Sequence, residues 1–125
     1  MTENEVSYIV RGCIFTVYNN LGPGLLESAY EAALFHEIQK AGLPVKQQAP
    51  MPMIYDSIKV DVGYRLDLVV EQKVIVEIKS VEMLLEVHHK QILTYLKLSG
   101  MKLGLLVNFN TDDMRSNIIR KVNGL

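Results

Sequence analysis

The stretch Tyr64-Arg65-Leu66-Asp67-Leu68-Val69-Val70-Glu71-Gln72-Lys73-Val74-Ile75-Val76-Glu77-Ile78-Lys79 decides the fold. Two runs rich in Val, Ile and Leu flank a short polar break, the pattern of adjacent strands. The spacing predicts strands over Ile58–Val70, with a bend at Gly63, and over Val74–Lys79. If Glu71-Gln72-Lys73 is a three-residue loop, Val70 opposes Val74, Leu68 opposes Val76 and Asp67 opposes Glu77. Directly opposed residues have Cβ atoms about 4.5–5.5 Å apart. Lys79 lies two residues past Glu77 and points to the same side. A two-residue loop would put the two acids on opposite faces.

Asp67, Glu77 and Lys79 allow two readings. One is a solvated strand face carrying ordinary cross-strand charges. The other follows from their neighbours. Leu66, Leu68, Val69, Val70, Val74, Ile75, Val76 and Ile78 are apolar on both faces, so the strands are expected to be covered on both sides. Carboxylates beside buried surface need partners. Two like charges that close repel unless something neutralises them, and a divalent cation with oxygen ligands does so.

Outward from this pair the chain is helical, then mixed. Val6, Ile9, Val10, Cys13, Ile14, Val17 and Tyr18 recur at helical period over residues 5–20. Asn19-Asn20-Leu21-Gly22-Pro23-Gly24 breaks that helix. Leu26, Ala29, Tyr30, Ala33, Leu34 and Ile38 mark a second, from Leu26 to Ala41. Val45–Met53 reads as a strand, and Pro50 and Pro52 suggest an edge position. Glu86–Ser99 is helical again and closes at Gly100. Leu103–Phe109, nearly all apolar, suits a central buried strand. The tail, Asp112–Val122, is expected to form a last short helix. The order α-α-β-β-β-α-β-α implies an α/β fold with four strands in a mixed sheet. The first three strands form a meander, and the third helix is the crossover to the fourth.

The chain has 125 residues, 49% of them hydrophobic, which suits one domain with one core over residues 1–125. Its 13 Lys and Arg against 14 Asp and Glu give a net charge of −1, so no global basic field advertises nucleic-acid binding. Contact with nucleic acid would need a local patch or metal ions. The lone cysteine, Cys13, sits in an apolar stretch without a nearby His and reads as a buried structural thiol. The N-terminus is acidic and polar, unlike a secretory leader. No apolar run approaches the roughly 20 residues of a membrane span. A soluble cytoplasmic protein is the expectation.

Other polar residues lie near the acid pair in this reading. Gln91 and Tyr95, one helical turn apart, can orient a phosphate or a lysine, although Tyr95 also suits the core and Gln91 an ordinary surface. Glu27 lies in the first turn of the second helix, where a carboxylate complements the helix dipole. It could equally be a further acid aimed at the metal region, with Glu31 four residues on. His88 and His89 point about 100° apart on a helix and cannot easily chelate one metal.

Five segments together resemble the GxxExxY proteins of the PD-(D/E)XK nuclease superfamily. They are Gly24–Tyr30 (Gly-x-x-Glu-x-x-Tyr), Tyr64–Val70, Val76–Lys79, Gln91–Lys97 and Gly104–Phe109, in family order along nearly the whole chain. One departure is Asn110, where family members often have Gly after Asn-Phe. The resemblance implies a restriction-endonuclease-like αβββαβ core. It implies that Asp67 and Glu77 bind metal, helped by the backbone carbonyl of Ile78, and that Glu27 extends the metal shell. It implies that Lys79 orients or activates water and that Gln91 and Tyr95 are accessory site residues.

The function expected is a nuclease dependent on Mg2+ or Mn2+, acting on DNA rather than RNA. The alternative is a non-catalytic module that keeps the fold and binds nucleic acid or protein. A homodimer or a protein partner is also open, and Ile118, Ile119 and Val122 in the tail would serve either a dimer contact or packing onto the core.

Overall fold

The computed structural model describes the backbone of residues 1–125 and every side chain except those of Pro52 and Val62. Helix α1 spans Glu3–Leu21. Its start is fixed by a capping box, in which Thr2 Oγ1 accepts from Glu5 N and the Glu5 carboxylate accepts from Thr2 N. Helix α2 spans Glu27–Lys40. Strands β1 (Val45–Tyr55), β2 (Ile58–Val70) and β3 (Val74–Lys79) follow as the expected meander. Helix α3, Glu86–Ser99, ends on Gly100 in the left-handed region, where a glycine carries no Cβ penalty. Strand β4 is Leu103–Asn108.

The tail departs from expectation. Only Met114–Asn117 is helical, as a 3-10 turn, and Ile118–Val122 forms a fifth strand, β5, antiparallel to β4. The sheet therefore has five strands in the order β1-β2-β3-β4-β5, not four. The reason is tertiary. Without β5, the fully buried β4 would leave one row of backbone groups unpaired, and β-branched Ile118 and Ile119 suit the pleat. Ile118 is thus used within the molecule, in the first core layer.

The rest of the topology is as expected. Strand β3 pairs antiparallel with β2 and parallel with β4, so α3 is the crossover. Strand β1 lies at the edge, and its register shifts between Pro50 and Pro52. Helices α1 and α2 cover one face, packing Val10, Ile14, Tyr30, Leu34 and Ile38 on Leu68, Val70, Val76 and Val107. Helix α3 covers the other, where Tyr95 and Leu96 join Leu66, Val69 and Ile75. Cys13 is a free, buried thiol within the first layer, and burial pushes its pKa up, with the Glu37 carboxylate adding to the effect. Among the described residues, no helix is long and apolar enough to cross a membrane.

Candidate metal and phosphodiester site

The loop Glu71-Gln72-Lys73 has the expected odd length. Glu71 and Gln72 both take positive φ, Lys73 N donates to Val70 O, and the ladder runs Val70 to Val74, Val69 to Ile75 and Leu68 to Val76. The next pair would be Asp67 and Glu77, but the ladder stops there. Instead, the Asp67 carboxylate reaches into the gap between the strands. Its Oδ2 accepts from the backbone N–H of Ile78 at 2.8 Å, replacing a ladder bond with a charge-assisted one.

The interruption has a cause in β1. Strand residues should alternate between faces. Leu68 and Val70 pack towards α1 and α2, yet Leu66 packs towards α3 with Val69. On β1, Val45 packs towards the first layer, while Ala49 and Met51 pack towards the second. Both strands therefore rotate between these positions, around Gln48 and Asp67. Gln48 takes φ +50°, a left-handed value uncommon for a side-chain-bearing residue. The rotation swings Asp67 out of strict alternation and into the inter-strand gap.

Glu77 lies on the α3 face by alternation with Ile75. It is only 4% exposed, and its Oε1 has no hydrogen-bond partner. Burial pushes its pKa up from 4.5 to about 9, and the neighbouring Asp67 carboxylate adds to the rise; Lys79 offsets part of it. Lys79 is half-buried on the same face and makes no ion pair among the described residues. Its carbonyl accepts from Phe109 N at 2.9 Å, which ties the end of β3 to β4. Burial also raises the Tyr95 pKa, with the Glu77 carboxylate the next cause and Asp67 a smaller one; the Gln91 amide partly offsets this. Gln91 itself is exposed at the helix surface.

The Gly24–Tyr30 segment acts largely as an anchor. Buried Tyr30 stacks on Phe109 with ring centroids 4.4 Å apart. Its hydroxyl donates to Gly22 O and accepts from Leu25 N, which holds the loop where Gly24 takes φ +98°. That loop is bolted to the end of β3. Ser80 Oγ donates to Leu25 O at 2.6 Å, and Glu27 Oε2 accepts from Ser80 N at 3.2 Å. Glu27 is thus held one residue past Lys79, with one oxygen engaged by backbone. Glu31 extends towards Asp67 through β1: Gln47 and Gln48 donate to its carboxylate at 2.8 and 2.6 Å, and Gln48 also approaches Asp67 Oδ1 at 3.4 Å.

Three residues outside the predicted set support the site: Ser80, Gln48 and Asn108. Asn108 is 1% exposed and clamps the loop after β3. Its Oδ1 accepts from Val81 N at 3.0 Å and its Nδ2 donates to Val81 O at 2.9 Å. Its signal was a polar residue ending an otherwise apolar strand. Ser80 and Gln48 carried no signal, because their partners are distant in sequence. His88 caps α3, with Nδ1 accepting from Leu85 N at 3.0 Å.

A hard divalent cation fits what is present. The donors are oxygen, and Glu77 Oε1 is a buried acceptor waiting for a partner beside a second carboxylate. Among the described residues, no three acids, histidines or cysteines gather into a ready-made cage. Asp67 and Glu77 would thus supply part of a coordination shell, with water and substrate oxygen completing it, as Mg2+ commonly accepts.

No curated protein and no solved structure matches the chain significantly. The family model described as PD-(D/E)XK nuclease superfamily matches residues 4–121, and members of that superfamily generally use divalent metals and act on nucleic acid. That match spans every helix and strand that builds the acid pair, and the chain belongs to the PD-(D/E)XK nuclease superfamily.

Proposed function

We propose that residues 1–125 form one nuclease-like domain of the GxxExxY type that hydrolyses phosphodiester bonds in DNA, with Mg2+ or Mn2+ held by Asp67 and Glu77. The observation that carries this reading is the buried, unpartnered Oε1 of Glu77 beside the Asp67 carboxylate. An acid kept in that state without a cation costs stability, so its retention calls for a ligand. Ile78 would contribute its carbonyl, and Glu27, held against Ser80, its free oxygen.

The bound cation would polarise a phosphoryl oxygen and make water a better nucleophile. The protein's part is positional. Asp67 is fixed by the Ile78 N–H, so its second oxygen is oriented. Lys79, which makes no ion pair among the described residues, offsets the charge that develops at phosphorus. Tyr95 and Gln91 orient the phosphate from α3. A single free, buried cysteine and the nucleic-acid substrate agree with action in the cytoplasm.

A second reading is a binding module that keeps the fold without cutting. It is favoured by the backbone groups already paired to Asp67 and Glu27 and by the net charge of −1. The deciding experiment incubates wild type, Asp67→Asn and Lys79→Ala with single- and double-stranded DNA and RNA in Mg2+ or Mn2+. Metal-dependent cleavage of DNA by wild type is expected, falling about 100-fold or more in each variant while circular dichroism is unchanged. Wild type inert on every form, with no heat of Mn2+ binding, would overturn the nuclease reading.

A further inference from the structure

On the α3 side of the sheet lies a cavity of about 450 Å³, lined by Met53, Tyr64, Gln91, Thr94, Tyr95 and Leu98. It opens between the β1–β2 hairpin and α3. Tyr64 is 52% exposed, although a tyrosine ring stabilises most when covered. Its centroid lies 5.9 Å from that of Tyr95, at an interplanar angle of 48°. Tyr95 belongs to both regions. Its ring lines the cavity and also packs with Leu66 and Ile75, the strand neighbours of Asp67 and Glu77.

The chemistry of the lining is selective. Among the described residues, no charged side chain contributes to it. The polar groups are neutral: the Gln91 amide, the Thr94 hydroxyl and the tyrosine hydroxyls. Such a pocket has nothing to neutralise a phosphate. It offers the Tyr64 π face for stacking and the Thr94 hydroxyl as a neutral donor or acceptor for the edge of a flat heterocycle. Its volume falls within the roughly 300–1,000 Å³ typical of small-ligand pockets. A base within a duplex already has both faces stacked and its pairing edge occupied, so only an unpaired base can enter.

We infer that this cavity receives one unpaired nucleobase of the substrate, stacked on Tyr64, and makes the protein selective for single-stranded nucleic acid or for frayed ends. The inference rests on the nuclease reading for its neighbour, the phosphate at Asp67 and Glu77. Tyr64 is here a specificity residue, one that positions the base and takes no part in bond cleavage.

The test uses the full chain with a labelled 12-mer deoxyoligonucleotide, single-stranded or as a blunt duplex. Binding is read by fluorescence anisotropy without divalent metal and cleavage with Mn2+. Tyr64→Phe keeps the π face, and Tyr64→Leu keeps bulk without it. Tyr64→Leu is expected to weaken single-strand binding about tenfold and leave duplex binding unchanged, since one base–aromatic stack is worth about 1–3 kcal/mol. Tyr64→Phe should stay within about twofold of wild type, because the π face is retained. A terminal 2-aminopurine should lose fluorescence on binding wild type, which reads stacking without any variant. An unquenched 2-aminopurine, equal losses on both substrates, or no loss in Tyr64→Leu would each overturn the inference. So would capture of an apolar peptide that competes for the cavity while the oligonucleotide does not bind. The two readings fail separately. Tyr64-dependent single-strand binding without cleavage upholds the stack and sinks the nuclease; cleavage indifferent to Tyr64→Leu does the reverse.

Discussion

Glu77 is the residue at which stability and function pull in different directions. Unfolded, its carboxyl ionises near 4.5; folded, it holds its proton to about 9. The folded state binds that proton more tightly between these values. Stability from this group is therefore fully present below pH 4.5 and is lost as pH rises towards 9. Glu77→Gln keeps the shape and removes the titration. The variant should gain roughly 2–4 kcal/mol over wild type at pH 8 and little at pH 4.5. Urea denaturation at the two pH values measures this; an equal difference at both would refute the assignment. The same substitution should abolish metal binding. Asp67 carries a different lesson. Its proximity to Glu77 was legible from an odd loop length, but its rotation into the inter-strand gap was not. Side-chain period predicts faces only in a regular pleat, and the positive φ of Gln48 breaks the pleat on the neighbouring strand.

At the scale of elements, two contacts hold the site together from outside it. The Tyr30 hydroxyl fixes the loop that carries Leu25 to Ser80 and places Glu27 at the end of β3. Tyr30→Phe should cost about 1–2 kcal/mol, because Gly22 O and Leu25 N lose a buried partner. It should also reduce cleavage by displacing Glu27. Thermal unfolding and an activity assay on the same preparation test both outcomes. The second contact seats α3 on β4. A Cβ at Gly104 would come within 2.9 Å of Ile92 Cδ1 and 3.1 Å of its Cγ1, and Ile92 is fully buried. Gly104→Ala should destabilise by about 1–3 kcal/mol through overpacking and shift α3, with Gln91 and Tyr95 on it. A loss below about 0.5 kcal/mol by chemical denaturation would show that Ile92 rotates freely out of the way. Neither glycine contact nor tyrosine bond could be read from the chain, because each joins residues far apart along it.

For the molecule as a whole, metal and folding should be linked. A ligand that binds only the folded state stabilises it by about 2.7 kcal/mol at about 100 times its dissociation constant. Mn2+ at that level should raise the midpoint of wild-type thermal unfolding by roughly 10 °C and leave Glu77→Gln unmoved. An equal shift in both proteins would place the metal elsewhere. The sequence alone determined the helices, the meander β1 to β3, the parallel step to β4, and the location of Asp67, Glu77 and Lys79 on neighbouring strands. It could do so because hydrophobic period, breaker residues and loop length are local properties of the chain. Only the tertiary structure decided the rest. The tail became β5 because β4 had an edge to fill, whatever helical spacing its residues showed. Ser80, Gln48 and Asn108 became supports of the site because folding brought them to partners 17 to 55 residues away in the chain. The Asp67–Glu77–Lys79 cluster could be located from pattern; what raises the Glu77 pKa and aims Asp67 is burial and strand rotation, which exist only once the layers have closed.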